Sequence, residues 1–201
     1  MLATVDGGII EDITVVGVTM RDIRNAPIFL RLGARMRGPA EIPIGTLKRV
    51  LISNVTCYGP LNAMPSIISG VPGHAVEDIK ISDCTFLHRG GGTAEMAALQ
   101  PAERPDDYPE PARFGPLPAQ HVYMRHVRNI EFNNVELASV TADARPSFWL
   151  GDVSGADLLH VKLPRGAGPA CVLNDVSDFR MRSIRGFNDV SIDGAVSRLQ
   201  I

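Results

Sequence analysis

Aromatic residues are scarce in this chain, at 5%, with a single tryptophan, while Gly (19) and Pro (15) are frequent. A helical bundle would have little with which to fill its core, and the composition suits many short strands joined by turns. Cysteine is also rare. Cys57, Cys84 and Cys171 are odd in number, far apart and without a CxxC pair, which excludes a disulfide framework and a zinc site and leaves buried free thiols. Nowhere do 18 apolar residues run together, so no membrane span is expected. No basic block interrupts the even scatter of 20 Lys and Arg among 22 Asp and Glu, which argues against nucleic acid as a partner. Met1 to Gly8 lacks the positive and apolar segments of an export leader, and the chain as written is expected to be cytoplasmic. His88 and His160 have no second ligand at metal spacing, and Gly90-Gly91-Gly92 lacks the lysine of a phosphate loop, so neither metal nor cofactor is expected. What remains is 201 residues, 45% apolar, enough for one domain spanning 1–201.

A repeat organises those residues. With apolar positions at offsets 0, 3, 5, 8 and 10, Ile10, Ile13, Val15, Val18 and Met20 are matched by Leu47, Val50, Ile52, Val55 and Cys57. The template fits again at Val76, Ile79, Ile81, Cys84, Phe86 and at Val127, Ile130, Phe132, Val135, Leu137. Looser copies begin at Val153 and Val176. The steps from 3 to 5 and from 8 to 10 have the two-residue period of a half-buried strand, and the step of three between them requires a bend. Offset 7 reads Gly17, Asn54, Asp83, Asn134, His160 and Ser183, mostly residues that tolerate left-handed backbone.

A third strand is predicted between repeats, at Pro27 to Leu32, Ser66 to Val71, Val122 to His126, Ser147 to Gly151 and Ala170 to Leu173. Such a unit buries its apolar face only by stacking on its neighbours. The predicted fold is therefore all-β, a right-handed parallel β-helix of about six coils. Repeat starts 37, 29, 51, 26 and 23 residues apart leave two long insertions, about 33–46 and 89–119. An α/β sheet would need capped helical windows, which are missing, and a β-sandwich would favour Asn-Gly hairpins, which are absent.

Gly7-Gly8-Ile9-Ile10-Glu11-Asp12-Ile13, Ile67-Ile68-Ser69-Gly70-Val71-Pro72-Gly73-His74, Val76-Glu77-Asp78-Ile79-Lys80-Ile81 and Tyr108-Pro109-Glu110-Pro111 through Phe114-Gly115-Pro116-Leu117-Pro118 occur in an order that resembles bacterial family 28 glycoside hydrolases, the polygalacturonases and rhamnogalacturonases. The resemblance runs from about Gly7 to about Leu173 and implies a pectin-lyase-like β-helix and an acidic polysaccharide as partner. The family's Asn-Thr-Asp, Asp-Asp, Gly-His-Gly and Arg-Ile-Lys motifs are missing, and the resemblance would place them before Met1. Asp106-Asp107 lies in a Pro-rich loop, and Gly73-His74-Ala75 lacks the second glycine, so neither takes over a family role.

Glycoside hydrolysis requires two carboxyl groups on opposite sides of the scissile bond. Only the 89–119 insertion concentrates them, and Asp106, Asp107 and Glu110 are the candidate catalytic residues, with Glu95 and Glu103 nearby; the competing reading is solvated loop charge. By resemblance, the strand between repeats floors a sugar cleft. Arg31, Tyr123, Arg125, His126 and Trp149 are then the candidate substrate contacts, arginine pairing a uronate carboxylate with two hydrogen bonds and an aromatic ring stacking on a sugar. The alternative is that the aromatics fill or cover the stack. The chain is thus expected to be a glycoside hydrolase-like protein or a non-catalytic carbohydrate-binding or structural solenoid. Met1 to Gly8 is too short to cover the first coil, which predicts a homo-oligomer through that end, with Val190 to Ile201 capping the other.

Overall fold

The computed structural model of the protein describes residues 1–59, 61–164 and 168–201. It is all-β, with eleven strands in one sheet that does not close and in which parallel pairing dominates. The long strands β2 (Ile9–Arg21), β4 (Thr46–Tyr58), β6 (Val76–His88), β7 (Val122–Ser139), β8 (Phe148–Leu159) and β9 (Cys171–Arg182) pair in parallel in sequence order. Their register is that of the sequence repeat. Val50 pairs with Ile13 and Ile79, and the row continues through Ile130, Ala156 and Phe179. From β4 onward this row is buried.

All six offset-7 residues have left-handed backbone, from Gly17 at φ 72° to Ser183 at φ 56°. The sequence did not disclose a second bend. At offset 2, Asp12, Arg49, Asp78, Asn129, Gly155 and Asp178 are also left-handed, so a similar conformation recurs five residues before the first. Carboxamides join some of these bends across strands: Asn129 Nδ2 donates to Asp78 Oδ1 and Asn134 Nδ2 to Asp83 Oδ1, each at 2.7 Å. Left-handed backbone costs an ordinary residue about 1–2 kcal/mol, less for Asn and Asp, and these hydrogen bonds offset part of it.

A second parallel row contains β1 (Leu2–Thr4), β3 (Phe29–Leu32), β5 (Ser66–Ser69) and the N-terminal parts of β7, β8 and β9. The predicted third strands at Val122, Ser147 and Ala170 are not separate. With no insertion after them they run directly into the repeat, turning at His126, Asp152 and Asp175, which have left-handed backbone. Alternate residues of this second row face opposite ways. Leu30, Ile68, Met124, Leu150 and Leu173 join the main core with the repeat positions, whereas Phe29, Ile67, Tyr123, Trp149 and Val172 form a second cluster on the outer side.

The two ends of the sheet differ. β10 (Val190–Ile192) and β11 (Val196–Gln200) pair antiparallel with β9. At the other end β1 extends only the second row, by pairing with β3, and among the described residues β2 has no strand beyond it. Met1 to Gly8 therefore contributes one strand, where the sequence predicted none. All three cysteines are free and buried, and burial raises the Cys57 thiol to about 11. Among the described residues, no helix is long and apolar enough to cross a membrane.

Candidate functional site

The outer face of the second row carries two lanes of side chains. One is the apolar lane Phe29, Ile67, Tyr123, Trp149 and Val172; beside it runs the lane Arg31, Ser69, Arg125, Gly151 and Asn174. Strand alternation puts both lanes on the same side, away from the main core. Four of the expected substrate contacts, Arg31, Tyr123, Arg125 and Trp149, therefore share one face, with His126 at its turn.

That face is covered. The segment between β6 and β7 folds back over it, with a short helix α1 (Ala94–Ala97) and a 3-10 turn (Pro111–Phe114) that the sequence did not suggest. Phe114, Leu117 and Ala119 pack on the apolar lane. Tyr123 and Trp149 stack on each other, centroids 4.9 Å apart and 15° from parallel, and both are buried. Trp149 lies across Gly151, where a Cβ would come within 2.7 Å of the indole ring. Neither ring presents a face to solvent for a sugar to stack on. The aromatics cover the strands, the alternative set against substrate contact above.

Residues 99–110, here the strap, cross the polar lane and are held there by polar contacts. Arg125 donates from Nη1 to the Pro101 carbonyl at 2.8 Å, and its Nη2 forms an ion pair with Glu103. Arg31 donates from Nη1 to Ser69 Oγ at 2.8 Å and to the Gly70 carbonyl at 3.0 Å, and from Nη2 to the Arg104 carbonyl at 2.7 Å. Its guanidinium also lies over the Phe114 ring, 5.2 Å from the centroid. Arg31 is only 2% exposed, and among the described residues no carboxylate is within ion-pair distance of it. Burial pulls its guanidinium below the usual arginine range, an effect that Tyr123, Glu103 and Asp107 oppose from a distance.

His126 sits between two carboxylates. Its Nδ1 lies 2.6 Å from Asp152 Oδ2 and its Nε2 2.8 Å from Glu103 Oε2. Both ring nitrogens thus have a carboxylate oxygen within hydrogen-bond distance. Sequence reasoning missed Asp152. The signal was its place one residue before a repeat start, the position of His126 in the preceding repeat and of Asp175 in the next.

The proposed catalytic carboxylates do not gather here. Asp106 and Glu110 are exposed, and neither side chain makes a hydrogen bond or ion pair among the described residues. Asp107 is 3.3 Å from Arg104 Nη1 within the strap. The two carboxylates that do flank a common point, Glu103 and Asp152, have the His126 ring between them, which leaves no place there for the water that an inverting pair activates.

A second polar cluster lies beneath the same segment. His88 and His121 meet edge to face at 4.7 Å, both buried, and burial pushes His121 down to about 4 and His88 well below the usual histidine value. Among the described residues, Asn62 Oδ1, His88 Nε2 and His121 Nδ1 have no hydrogen-bond partner. Beside them Asp143 accepts from Arg145 Nη2 and from the Gly92 amide, both at 2.8 Å. Burial alone would raise the Asp143 carboxyl, but these hydrogen bonds outweigh it and hold it below the usual value. The pair anchors the glycine run Gly90-Gly91-Gly92, so that Arg145 serves the loop's attachment. Among the described residues no group of three or more His, Cys, Asp or Glu is placed to hold a metal ion.

No model of a known protein family, no curated protein and no solved structure matches this chain.

Proposed function

We propose that this chain binds the carboxylate groups of an acidic oligosaccharide along the Arg31–Ser69–Arg125 lane, on a right-handed parallel β-helix related to the family 28 glycoside hydrolases, and that it binds without hydrolysing. The observation that carries the binding is Arg31. A guanidinium removed from water is strongly disfavoured unless an anion compensates it, and among the described residues Arg31 donates only to neutral acceptors, with Glu103 and Asp107 acting from a distance. A ligand carboxylate reaching Arg31 and Ser69 would supply that anion in the fork geometry arginine favours. Kinship with the family rests on the sequence segments quoted above and on the in-register parallel repeats. The β-helix reading is supported by two parallel rows that contribute to one core. A crystal structure with left-handed crossovers between those rows would overturn it.

Calorimetric titration with trigalacturonate tests the binding, and Arg31→Ala is expected to abolish it in a protein that still unfolds cooperatively. Retained affinity in that variant would remove the lane from the ligand's path. Hydrolysis is tested separately. Reducing-end release from polygalacturonan is expected to be the same for native protein and for a heat-unfolded sample. Activity lost on heating, and lost again in the combined Asp106→Asn, Asp107→Asn, Glu110→Gln variant, would replace binding with catalysis by the strap.

A homo-oligomer through the β2 end belongs to the same proposal. Ile10, Ile13, Val15, Val18 and Met20 are only partly buried, although their partners in β4 are buried, and the strand's outer edge has no partner strand. Light scattering that gave a monomer mass over a wide concentration range would exclude it.

A further inference from the structure

We infer that the strap is an internal competitor: Glu103 occupies the position of a ligand carboxylate, and an acidic oligosaccharide enters by displacing it. This deepens the binding proposed above and rests on it. Glu103 takes one oxygen to Arg125 and the other to His126 Nε2, and among the described residues it is the strap's only carboxylate ion-paired with strand residues. Asp152 engages the far side of the imidazole, so the ring is held toward whatever carboxylate lies above the lane. The strap's other attachments are three main-chain carbonyls, Pro101 on Arg125, Arg104 on Arg31 and Pro105 on the Ala34 amide, and the Tyr108 ring, over which the Arg35 guanidinium lies 5.3 Å from the centroid.

The way the strap is seated makes displacement feasible. From Gly91 to Glu110 no residue is buried, and Pro111 is the first that is. Of its large apolar residues, Tyr108 is 59% exposed and Leu99 37%, and neither belongs to an apolar core cluster. No residue of this stretch belongs to either apolar core cluster, whereas Phe114, Leu117 and Ala119 are held on the apolar lane by burial. Arg104 is left-handed at φ 47°, in the residue whose carbonyl reaches Arg31, so release also relieves an unfavourable backbone geometry. The exchange is carboxylate for carboxylate at Arg125 and His126, and carboxylate for carbonyl at Arg31. A uronate chain, with one carboxylate per sugar, can meet both positions; a ligand with a single charge cannot.

The test is calorimetric titration of trigalacturonate into wild-type protein and Glu103→Gln, which keeps the side chain's shape and removes its charge. The variant is expected to bind about tenfold more tightly or better, with Arg125→Ala in the Glu103→Gln background losing that gain. Wild type and Glu103→Gln binding with equal affinity, or the variant more weakly, would overturn the competition and leave the binding proposal intact. No binding by either protein would overturn both. Hexaglutamate bound by Glu103→Gln as tightly as trigalacturonate would overturn the assignment to a sugar chain. Glu103 is partly exposed and makes no core contact, so the substitution is not expected to prevent folding; Glu103→Ala, expected to gain affinity likewise, provides a second variant.

Discussion

At the scale of the residue, the buried ionisable side chains are shifted mainly by loss of water, the exposed ones by hydrogen bonds to a charged partner. His121 is the clearest case, because burial holds its folded-state value near 4 against an ordinary 6.5. Between those two values the unfolded chain binds the proton that the folded chain refuses. Stability therefore falls as pH falls from about 6.5 to about 4, by on the order of 3 kcal/mol for this group, and His88 adds in the same direction. The guanidinium chloride midpoint should drop across that window, and His121→Gln should flatten the drop; equal slopes in both proteins would show that another group is responsible. The residue scale is also where the sequence was least informative. Arg31, Arg125 and His126 could be named because the family resemblance makes their strands the floor of a sugar cleft, but Glu103 and Asp152 could not be joined to them, because one comes from a non-repetitive loop and the other from a neighbouring strand 26 residues away.

At the scale of the element, the bends decide how each repeat turns. His160, at φ 52°, occupies a position that Asn, Asp or Gly fills in four other repeats. His160→Val should cost about 1–2 kcal/mol, since a β-branched side chain clashes in left-handed backbone, while His160→Gly should be close to neutral. Urea denaturation of both variants measures the difference, and equal losses would mean that packing, not backbone geometry, sets the cost. Offset 7 was legible in the sequence because a step of three in the apolar pattern demanded a bend. Offset 2 was hidden, because the step from 0 to 3 there was not read as a second break in phase, and Arg49 is not a residue type that announces left-handed backbone. The covering segment was legible only as an insertion: its composition signalled a loop, and nothing in it marked Phe114 and Leu117 as the residues that would close over Tyr123 and Trp149.

At the scale of the whole molecule, stability should be graded from one end to the other. Each strand of the main row depends on its neighbours, and β2 has a neighbour on one side only, whereas β10 and β11 cover β9. Amide hydrogen exchange is expected to be fastest in β2, slowest in β6, β7 and β8, and intermediate in β9. Uniform protection along the row would mean that the sheet opens as one unit. A dimer joined through β2 would instead protect that strand as well, and dilution would remove the protection.

The single tryptophan gives these motions an optical signature. Trp149 is buried, stacked on Tyr123 in the cluster that also holds Leu117 and Ala119, so its emission should be blue-shifted in the native protein. If ligand lifts the strap alone, that emission should remain nearly constant while binding saturates; if the whole segment from Arg89 to Ala119 swings away, it should move to the red. One unlabelled fluorescence titration therefore distinguishes a local exchange at Glu103 from an opening of the entire covered face.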